Sequence, residues 1–271
     1  MDTAAPDPVA VAKSYPFDVP DHSFLFVDGR APRLVGFRPA RPEDCAVVED
    51  GRETPLADYL GSAGLDAATL GENRWPVIAC GSNASPRRLA DKFAPLGGGG
   101  VIPVTRVRLD GFSVVYSAHF AAYGSIPATL RRMPGDRAEA FVTWLTRAQL
   151  ERMHETEALG RNYGFMRLAE GETLTEGGDV VARPLAYVSL HGCLANDGAP
   201  VGLPEFAHDG ASPPSATQIE ALTLARDLLE PRAPLDRFIS EGIADEALRR
   251  LRTNRLRALG LPFSTAGLAP A

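Results

Sequence analysis

Lysine is nearly absent from this chain of 271 residues. Lys13 and Lys92 are its two lysines, so arginine carries almost all of the positive charge. In a chain that is also rich in Ala, Gly and Pro, this bias reflects genomic codon usage rather than chemistry. Acidic residues outnumber basic ones by 34 to 28, which gives a net charge of −6. An acidic chain is poorly suited to a phosphate backbone, so we expect no nucleic-acid partner.

Cysteines are few, and long apolar runs are missing. Cys45, Cys80 and Cys193 are odd in number and contain no Cys-x-x-Cys pair, which argues against a disulfide framework and favours a reducing compartment. No stretch of about 18 apolar residues occurs, so we expect no membrane span and no membrane partner. The first residues are acidic and broken by proline, unlike a signal peptide. These features predict a cytoplasmic protein.

The acidic charge is concentrated at the start of the chain. Residues 1–73 hold 6 basic and 13 acidic residues, and we interpret them as an N-terminal extension in which residues 1–22 form a mobile arm. A main domain is expected over 74–230 and a helical C-terminal tail over 231–271. With 45% hydrophobic residues, the chain has the composition of a globular protein that buries a core.

Strands dominate the middle of the chain, and helices its last third. Asp28-Gly29, between two short apolar runs, predicts a β-hairpin. Ser85-Pro86 predicts the start of a helix that continues to about Phe93. Further strands are expected at 101–109, 112–117, 126–132, 138–145, 163–168 and 180–190, and further helices at 147–157, from 215 and at 244–259. This order favours an α+β domain with a mixed or barrel-like sheet.

The turn Gly81-Ser82-Asn83 follows an apolar strand at 75–80 and precedes a helix. Backbone N–H groups at such a turn lack partners, and the helix dipole adds to their attraction for a carboxylate or phosphate. The turn matches neither a Walker loop nor a dinucleotide-binding fingerprint. The alternative is an ordinary turn, and these three residues by themselves leave both interpretations open.

Glu157 is a candidate general acid or base. On a helix that continues to 157, it shares one face with Leu150 and Met153. Apolar neighbours disfavour the charged form of a carboxylate, which suits proton transfer near neutral pH. If the helix ends earlier, Glu157 is instead a solvated residue at its end. Gly160 is expected to terminate the helix in a left-handed conformation, and Tyr163 to open the next strand with its ring buried.

Two other patterns allow alternative functions. Cys80, at a strand end beside a helix N-terminus, could be a nucleophilic thiolate, with His119, His154 or His191 as its base. The favoured alternative is a small buried core residue. A group of arginines near the end of the chain forms either a basic exposed helix face or a nucleic-acid surface. They are Arg249, Arg250, Arg252, Arg255 and Arg257. The histidines show no metal-ligand spacing, so no metal site is expected.

Four segments, in this order along the chain, resemble the gamma-glutamylcyclotransferase-like family. They are Val77-Ile78-Ala79-Cys80-Gly81-Ser82-Asn83, Leu109-Asp110-Gly111-Phe112, Ile126-Pro127-Ala128-Thr129-Leu130 and Met153-His154-Glu155-Thr156-Glu157. They are similar to the family's Tyr-Gly-Ser-Asn strand end, its strand turn, its Ala-Thr segment and its Leu-Asp-x-x-Glu segment. The resemblance covers roughly residues 74–190. Cys80 stands where the family usually has tyrosine, and Ala158 where many members have glycine. Tyr123-Gly124-Ser125 repeats the signature without a preceding strand, and we interpret it as a decoy.

The resemblance implies a mixed β-barrel flanked by helices and an enzyme that cleaves a γ-glutamyl amide. Glu157 would be the general base for a substrate α-amine that attacks the γ-carbonyl and releases 5-oxoproline. Ring closure supplies proximity, so this chemistry implies no metal and no cofactor. The implied substrate-binding residues are Cys80, Gly81, Ser82, Asn83, Ala84 and Tyr163. The alternative is a binding module of the same fold without turnover, which holds an amino-acid-like small molecule or a protein partner.

Overall fold

The computed structural model describes residues 6–38, 41, 44–66, 70, 74–97, 100–210 and 212–271. The helices are α1 (Pro8–Lys13), α2 (Leu56–Ser62), α3 (Pro86–Phe93), α4 (Arg147–Thr156), α5 (Gln218–Leu229), α6 (Leu235–Ala244) and α7 (Glu246–Leu259). The strands are β1 (Phe24–Val27), β2 (Arg33–Val35), β3 (Ala46–Glu49), β4 (Arg52–Pro55), β5 (Trp75–Ala79), β6 (Val101–Tyr116), β7 (Ala128–Leu145), β8 (Tyr163–Leu168), β9 (Thr173–Thr175), β10 (Leu185–Ser189), β11 (Ala195–Asn196), β12 (Ala199–Pro200), β13 (His208–Gly210) and β14 (Leu268–Pro270). The α+β class is therefore as predicted.

Twelve of these strands form one sheet. Its order is β14-β8-β10-β5-β7-β6-β1-β2-β3-β4, with β13 beside β7 and β9 beside β6. Only β5 and β10 are parallel neighbours among the described strands, so the sheet is mixed. Within the described residues β14 and β4 do not pair with each other, so the sheet stays open. The prediction of a β-barrel is therefore corrected to an open sheet. Strands from the two ends of the chain extend the edges of the sheet instead of closing it.

β6 and β7 form one long hairpin where four separate strands were predicted. The two strands pair along most of their length, with one shift of register between Asp110 and Phe112. Gly111 lies at this shift with a φ of 78°, which glycine adopts without steric cost. A bulge of this kind bends a strand without ending it. The segment predicted as a strand turn is therefore inside β6.

The N-terminal extension continues the main sheet. β1 pairs with the first part of β6 along its whole length, and β2, β3 and β4 follow in antiparallel order. Asp28 and Gly29 have φ values of 47° and 76°, as a tight two-residue hairpin turn requires. Hydrogen bonds of the sheet therefore join the N-terminal extension to β6 of the expected main domain.

The described part of the arm over residues 1–22 is packed on the domain, where a mobile arm was predicted. Ala12 and Tyr15 are buried, with 0% and 4% exposure. Lys13 forms an ion pair with Asp236 of α6, and Ser125 Oγ donates to the Ala12 carbonyl at 2.8 Å. The arm is therefore anchored by burial, by charge and by hydrogen bonding.

The last three helices pack around a buried arginine. Arg252 is 2% exposed; it donates to both Glu230 carboxylate oxygens at 2.8 Å and to Glu241 at 3.1 Å. Arg249 and Arg255 donate to backbone carbonyls. Three of the five arginines predicted to form an exposed face thus have structural partners, which removes most of the proposed nucleic-acid surface. No helix in the described part of the chain combines the length and apolar character needed to cross a membrane.

Candidate active site

A cleft of about 550 Å³ lies at the end of β5, between the N-terminal arm, the turn after α4 and the start of α7. Six of the seven residues that the sequence indicated for the site line this cleft: Cys80, Gly81, Ser82, Asn83, Glu157 and Tyr163. Ala84 does not, because it is 0% exposed and packs in the hydrophobic core. Residues that are 74 positions apart in the chain, such as Asn83 and Glu157, meet here.

The loop after β5 presents unpaired backbone donors. Ala84 N donates to the Gly81 carbonyl at 2.9 Å and Ser85 N to the Ser82 carbonyl at 3.0 Å, forming one 3₁₀ turn before α3. Within the described residues, the N–H groups of Gly81, Ser82 and Asn83 have no protein acceptor. Adjacent free N–H groups beside a cleft are suited to a carboxylate or another anionic oxygen.

Gly81 is required by a close approach of another side chain. Its φ of −167° is ordinary extended backbone, but a Cβ there would lie 2.1 Å from Tyr15 Oη and 3.1 Å from Ala128 Cβ. Ala128 N donates to Tyr15 Oη at 2.7 Å. The absence of a side chain at Gly81 therefore admits the Tyr15 hydroxyl against the loop. Tyr15 was not among the residues that the sequence indicated for the site.

Glu157 is the C-cap residue of α4, immediately beyond the helix end at Thr156. Its side chain is 12% exposed, so it is neither on a helix face nor a solvated end residue, the two predicted positions. Ala158, with a φ of 48°, is the left-handed residue that follows the cap. Gly160 was predicted in that position, but it lies in the next turn. The N–H of Asn162 donates back to the Ala158 carbonyl at 3.0 Å, so the chain turns sharply and keeps the carboxylate in the cleft.

Among the described residues, the Glu157 carboxylate has two protein partners. Lys92 Nζ forms an ion pair with its Oε1, and Asn83 Nδ2 donates to the same oxygen at 3.1 Å. The Lys92 side chain is 9% exposed, and its Nζ also lies 3.5 Å from Met153 Sδ. The predicted apolar surroundings are therefore incomplete, because a cation from α3 neutralises the carboxylate. Sequence reasoning missed Lys92.

The phenol side chains of Tyr163 and Tyr187 also line the cleft. Tyr163 Oη donates to the Ala128 carbonyl at 3.4 Å, and Tyr187 Oη is 2.8 Å from His154 Nδ1. Burial raises the pKa of both phenols, and the nearby Glu157 carboxylate raises it further. Both therefore remain protonated at neutral pH.

Tyr123 also lines the cleft, although its segment was interpreted as a decoy. Its ring lies 5.4 Å from the Arg88 guanidinium carbon, and the side chains of Ser82 and Ser125 are near enough to its hydroxyl to influence its pKa. Burial raises the pKa of Tyr123 to about 12. Tyr123 thus lines the same cleft as the Gly81–Asn83 loop.

Cys80 and the neighbouring histidines do not form a thiolate pair. Burial raises the pKa of the Cys80 thiol to about 12, and the Glu157 charge adds to this shift. Burial lowers the pKa of His119 to about 3, with a further contribution from His191, whose ring centroid is 4.8 Å away. His119 Nδ1 is hydrogen-bonded to Ser117 Oγ at 2.5 Å. Nothing here favours a thiolate at Cys80, because a histidine with a lowered pKa is a weak base and a thiol with a raised pKa is a weak acid.

Positive charge dominates the cleft, although the whole chain is acidic. Its five cationic lining residues are Lys92, Arg88, Arg161, Arg249 and Arg250, and its two carboxylates are Glu157 and Glu246. Within the described residues, Arg161 and Arg250 form no ion pair with any carboxylate. The cleft is therefore electrostatically suited to an anionic ligand. No group of three or more His, Cys, Asp or Glu side chains that could hold a metal ion occurs in the described part of the chain.

Comparison with known proteins finds no matching family model and no matching curated protein. Among solved structures, the chain is similar to a gamma-glutamyl cyclotransferase, with 15% identity over 62% of this chain and 85% of that chain and a TM-score of 0.36. It is also similar to an uncharacterized protein from Homo sapiens, with 16% identity over 63% and 86% of the two chains and a TM-score of 0.35. YkqA from Bacillus subtilis has 14% identity over 74% and 64%, and a TM-score of 0.34. The resemblance expected from the sequence thus appears among solved structures. Because these TM-scores are below 0.5, the function proposed next rests on the residues of the cleft.

Proposed function

We propose that the protein is a gamma-glutamylcyclotransferase-like enzyme that cleaves a γ-glutamyl amide and releases 5-oxoproline. The observation that carries this proposal is the position of the Glu157 carboxylate, which is joined through Asn83 to a loop with three free N–H groups. A carboxylate and an anion cradle in one cleft match the two ends of an α-amino acid. The carboxylate attracts the ammonium group, and the N–H groups attract the α-carboxylate.

The reaction follows from this placement. Glu157 accepts a proton from the substrate α-ammonium, and the freed amine nitrogen bonds to the γ-carbonyl carbon. The ring nitrogen loses a second proton as it becomes the lactam N–H, and the γ-amide carbon–nitrogen bond breaks. Both protons go to the departing nitrogen, the first through Glu157, so the leaving amine departs as an ammonium group and charge and atoms balance. Because both reacting groups belong to one molecule, the cleft has to fold the substrate into a ring-closing conformation and to pass protons from the amine to the leaving nitrogen.

The arginines of the cleft favour substrates whose leaving group is anionic. Arg161 lies in the turn just after Glu157, and Arg250 lies at the start of α7. Neither has a carboxylate partner within the described residues. A γ-glutamyl amino acid carries a carboxylate on its leaving group, whereas a γ-glutamyl amine does not. We therefore expect amino-acid leaving groups to be preferred, with a preference that weakens as salt is added.

The test is release of 5-oxoproline from a panel of γ-glutamyl amino acids, glutathione and γ-glutamyl amines. Wild type and Glu157→Gln are run side by side, with Glu151→Gln as the matched control because Glu151 is an exposed residue of the same helix. We expect turnover by wild type and by Glu151→Gln, and its loss in Glu157→Gln. Equal activity in all three proteins would exclude Glu157 as the base. No turnover by wild type on any member of the panel would overturn the proposal.

One observation favours the alternative of a binding module. Both protein partners of Glu157 contact the same oxygen, Oε1, so a substrate ammonium has to share the carboxylate with Lys92. In a pure binder this ion pair would persist when the ligand is bound. Wild type that binds 5-oxoproline or a γ-glutamyl amide without turning the amide over would support the binding module.

A further inference from the structure

We infer that Tyr15 of the N-terminal arm is a ligand-binding residue of this cleft, whose hydroxyl donates a hydrogen bond to the carboxylate of the ligand. The inference rests on the proposed function for the identity of that ligand. It extends the site to a segment outside the region of family resemblance, and no sequence motif predicted it.

The arm delivers the Tyr15 hydroxyl to the loop after β5. The Tyr15 side chain is almost completely buried yet lines the cleft. Its Oη lies only 2.1 Å from the position that a Cβ of residue 81 would occupy. The arm cannot slide away easily, because Lys13 is paired with α6 and the Ala12 carbonyl accepts a hydrogen bond from Ser125. Tyr15 is thus fixed against the loop before any ligand arrives.

The hydrogen bonds of the phenol are incomplete. Tyr15 Oη accepts from Ala128 N at 2.7 Å, but within the described residues its own O–H has no acceptor. Tyr163, which is buried beside it, does use its proton, because it donates to the Ala128 carbonyl. Burial raises the pKa of Tyr15 well above its usual value, so the proton stays on the oxygen at neutral pH. A buried donor without an acceptor is costly, and a ligand oxygen removes that cost.

The neighbouring donors indicate which ligand group completes the set. Gly81 separates the Tyr15 hydroxyl from the N–H groups of Ser82 and Asn83, and all three backbone N–H groups of the loop lack acceptors among the described residues. These donors and five cationic side chains line the same cleft. A carboxylate, with two oxygens and several lone pairs, satisfies such a set better than an amide or a hydroxyl does. The α-carboxylate of a γ-glutamyl substrate, which 5-oxoproline retains, is the group of this kind.

The test compares wild type, Tyr15→Phe and Tyr59→Phe. Phenylalanine keeps the ring in place, and melting temperatures check that each variant folds. Tyr59 is the matched control, because it is also buried and its hydroxyl lies 3.4 Å from Glu49 in the N-terminal hairpin region, outside the lining of the cleft. The first readout is the affinity for 5-oxoproline by calorimetry. The second is KM against kcat for the best γ-glutamyl amide of the panel.

We expect Tyr15→Phe to bind 5-oxoproline about tenfold more weakly, as the loss of one charge-assisted hydrogen bond implies. KM should rise with little change in kcat, because the bond is made equally in the ground state and the transition state. Tyr59→Phe should match wild type. Equal affinity and equal KM in wild type and Tyr15→Phe would overturn the inference while leaving the cyclotransferase proposal in place.

The two proposals fail differently. Wild type that binds 5-oxoproline in a Tyr15-dependent manner but releases none from any γ-glutamyl amide supports this inference and refutes the enzyme. Wild type that neither binds 5-oxoproline nor turns over any amide overturns both. A loss of affinity that is equal in Tyr15→Phe and Tyr59→Phe would assign the effect to general destabilisation and overturn the inference.

Discussion

Removing Lys92 should destabilise the protein far more than removing an exposed lysine would. Its side chain is 9% exposed and that of its partner Glu157 is 12% exposed, so Lys92→Met leaves a carboxylate with little access to water. Breaking a buried pair from one side costs about 3–5 kcal/mol. Asn83 still donates to the carboxylate, and the cleft admits some solvent, so we expect a loss of ~2–3 kcal/mol, which is below that range.

The double variant distinguishes an ion pair from two independent contacts. Glu157→Gln leaves the ammonium group of Lys92 without a charge partner, and we expect a comparable loss of ~2 kcal/mol. Combining Lys92→Met with Glu157→Gln removes both charges, so the double variant should be more stable than the sum of the single effects by ~1–3 kcal/mol. Urea unfolding followed by circular dichroism, with equal m-values across the series, measures each free energy of unfolding.

Helix α4, which precedes Glu157, supplies an exposed ion pair as the control for this double-mutant cycle. Arg147 and Glu151 form an ion pair at 3.0 Å, with side chains that are 84% and 62% exposed. Removing that pair should change stability by no more than about 0.5 kcal/mol. Single effects of Lys92→Met and Glu157→Gln that are this small, or that add without coupling, would refute the buried ion pair.

Three other predictions follow from the walls of the cleft. Gly81→Ala should cost ~1–3 kcal/mol through its collision with Tyr15 Oη, and adding Tyr15→Phe should restore part of the melting temperature. Cys80, with its thiol pKa raised to about 12, should resist iodoacetamide at pH 8 in the folded protein and react in urea, as measured by mass spectrometry. His119 has its pKa lowered to about 3, so below pH 6.5 the unfolded chain binds a proton that the folded chain does not, and stability falls by up to ~1.4 kcal/mol per pH unit. His119→Gln should have a shallower pH dependence of urea unfolding, and an unchanged slope would contradict the burial of a neutral imidazole.

Local signals in the sequence predicted the parts of the site that depend on neighbouring residues. Ser85-Pro86 predicted where α3 begins, and the structure has Pro86 at its first position. Asp28-Gly29 between two apolar runs predicted a hairpin turn, and both residues have positive φ in the structure. The helix that precedes Glu157, α4, was predicted to begin at residue 147, where Thr146 caps it. Each of these features is encoded within a few residues, so one segment is sufficient to specify it.

Contacts between distant segments could not be predicted in the same way. Tyr15 and Ala128 are 113 positions apart, and nothing in the arm indicates which backbone N–H its hydroxyl accepts from. The strands that extend the sheet were not predicted for the same reason. The pairing of β1 with β6 and of β14 with β8 joins segments that are far apart in the chain.

Lys92 did leave a signal that could have been used. On α3 it lies among the buried residues, next to Phe93 and three positions after Leu89. A lysine on the apolar face of a helix, in a chain that uses arginine almost everywhere else, indicates a buried cation in need of a carboxylate. Only the pairing with Glu157 required the tertiary structure.

Because the chain has two lysines, proteolysis at lysine can report which part of the structure opens first. A protease specific for lysine can cleave this chain after Lys13 or after Lys92. The bond after Lys13 follows α1 and lies just before Tyr15, and the Lys13 side chain is 25% exposed. The bond after Lys92 lies within α3, and the Lys92 side chain is 9% exposed. Cleavage after Lys13 therefore reports release of the arm, and cleavage after Lys92 reports loss of α3. The order in which the two fragments appear would separate opening of the cleft wall from unfolding of the domain.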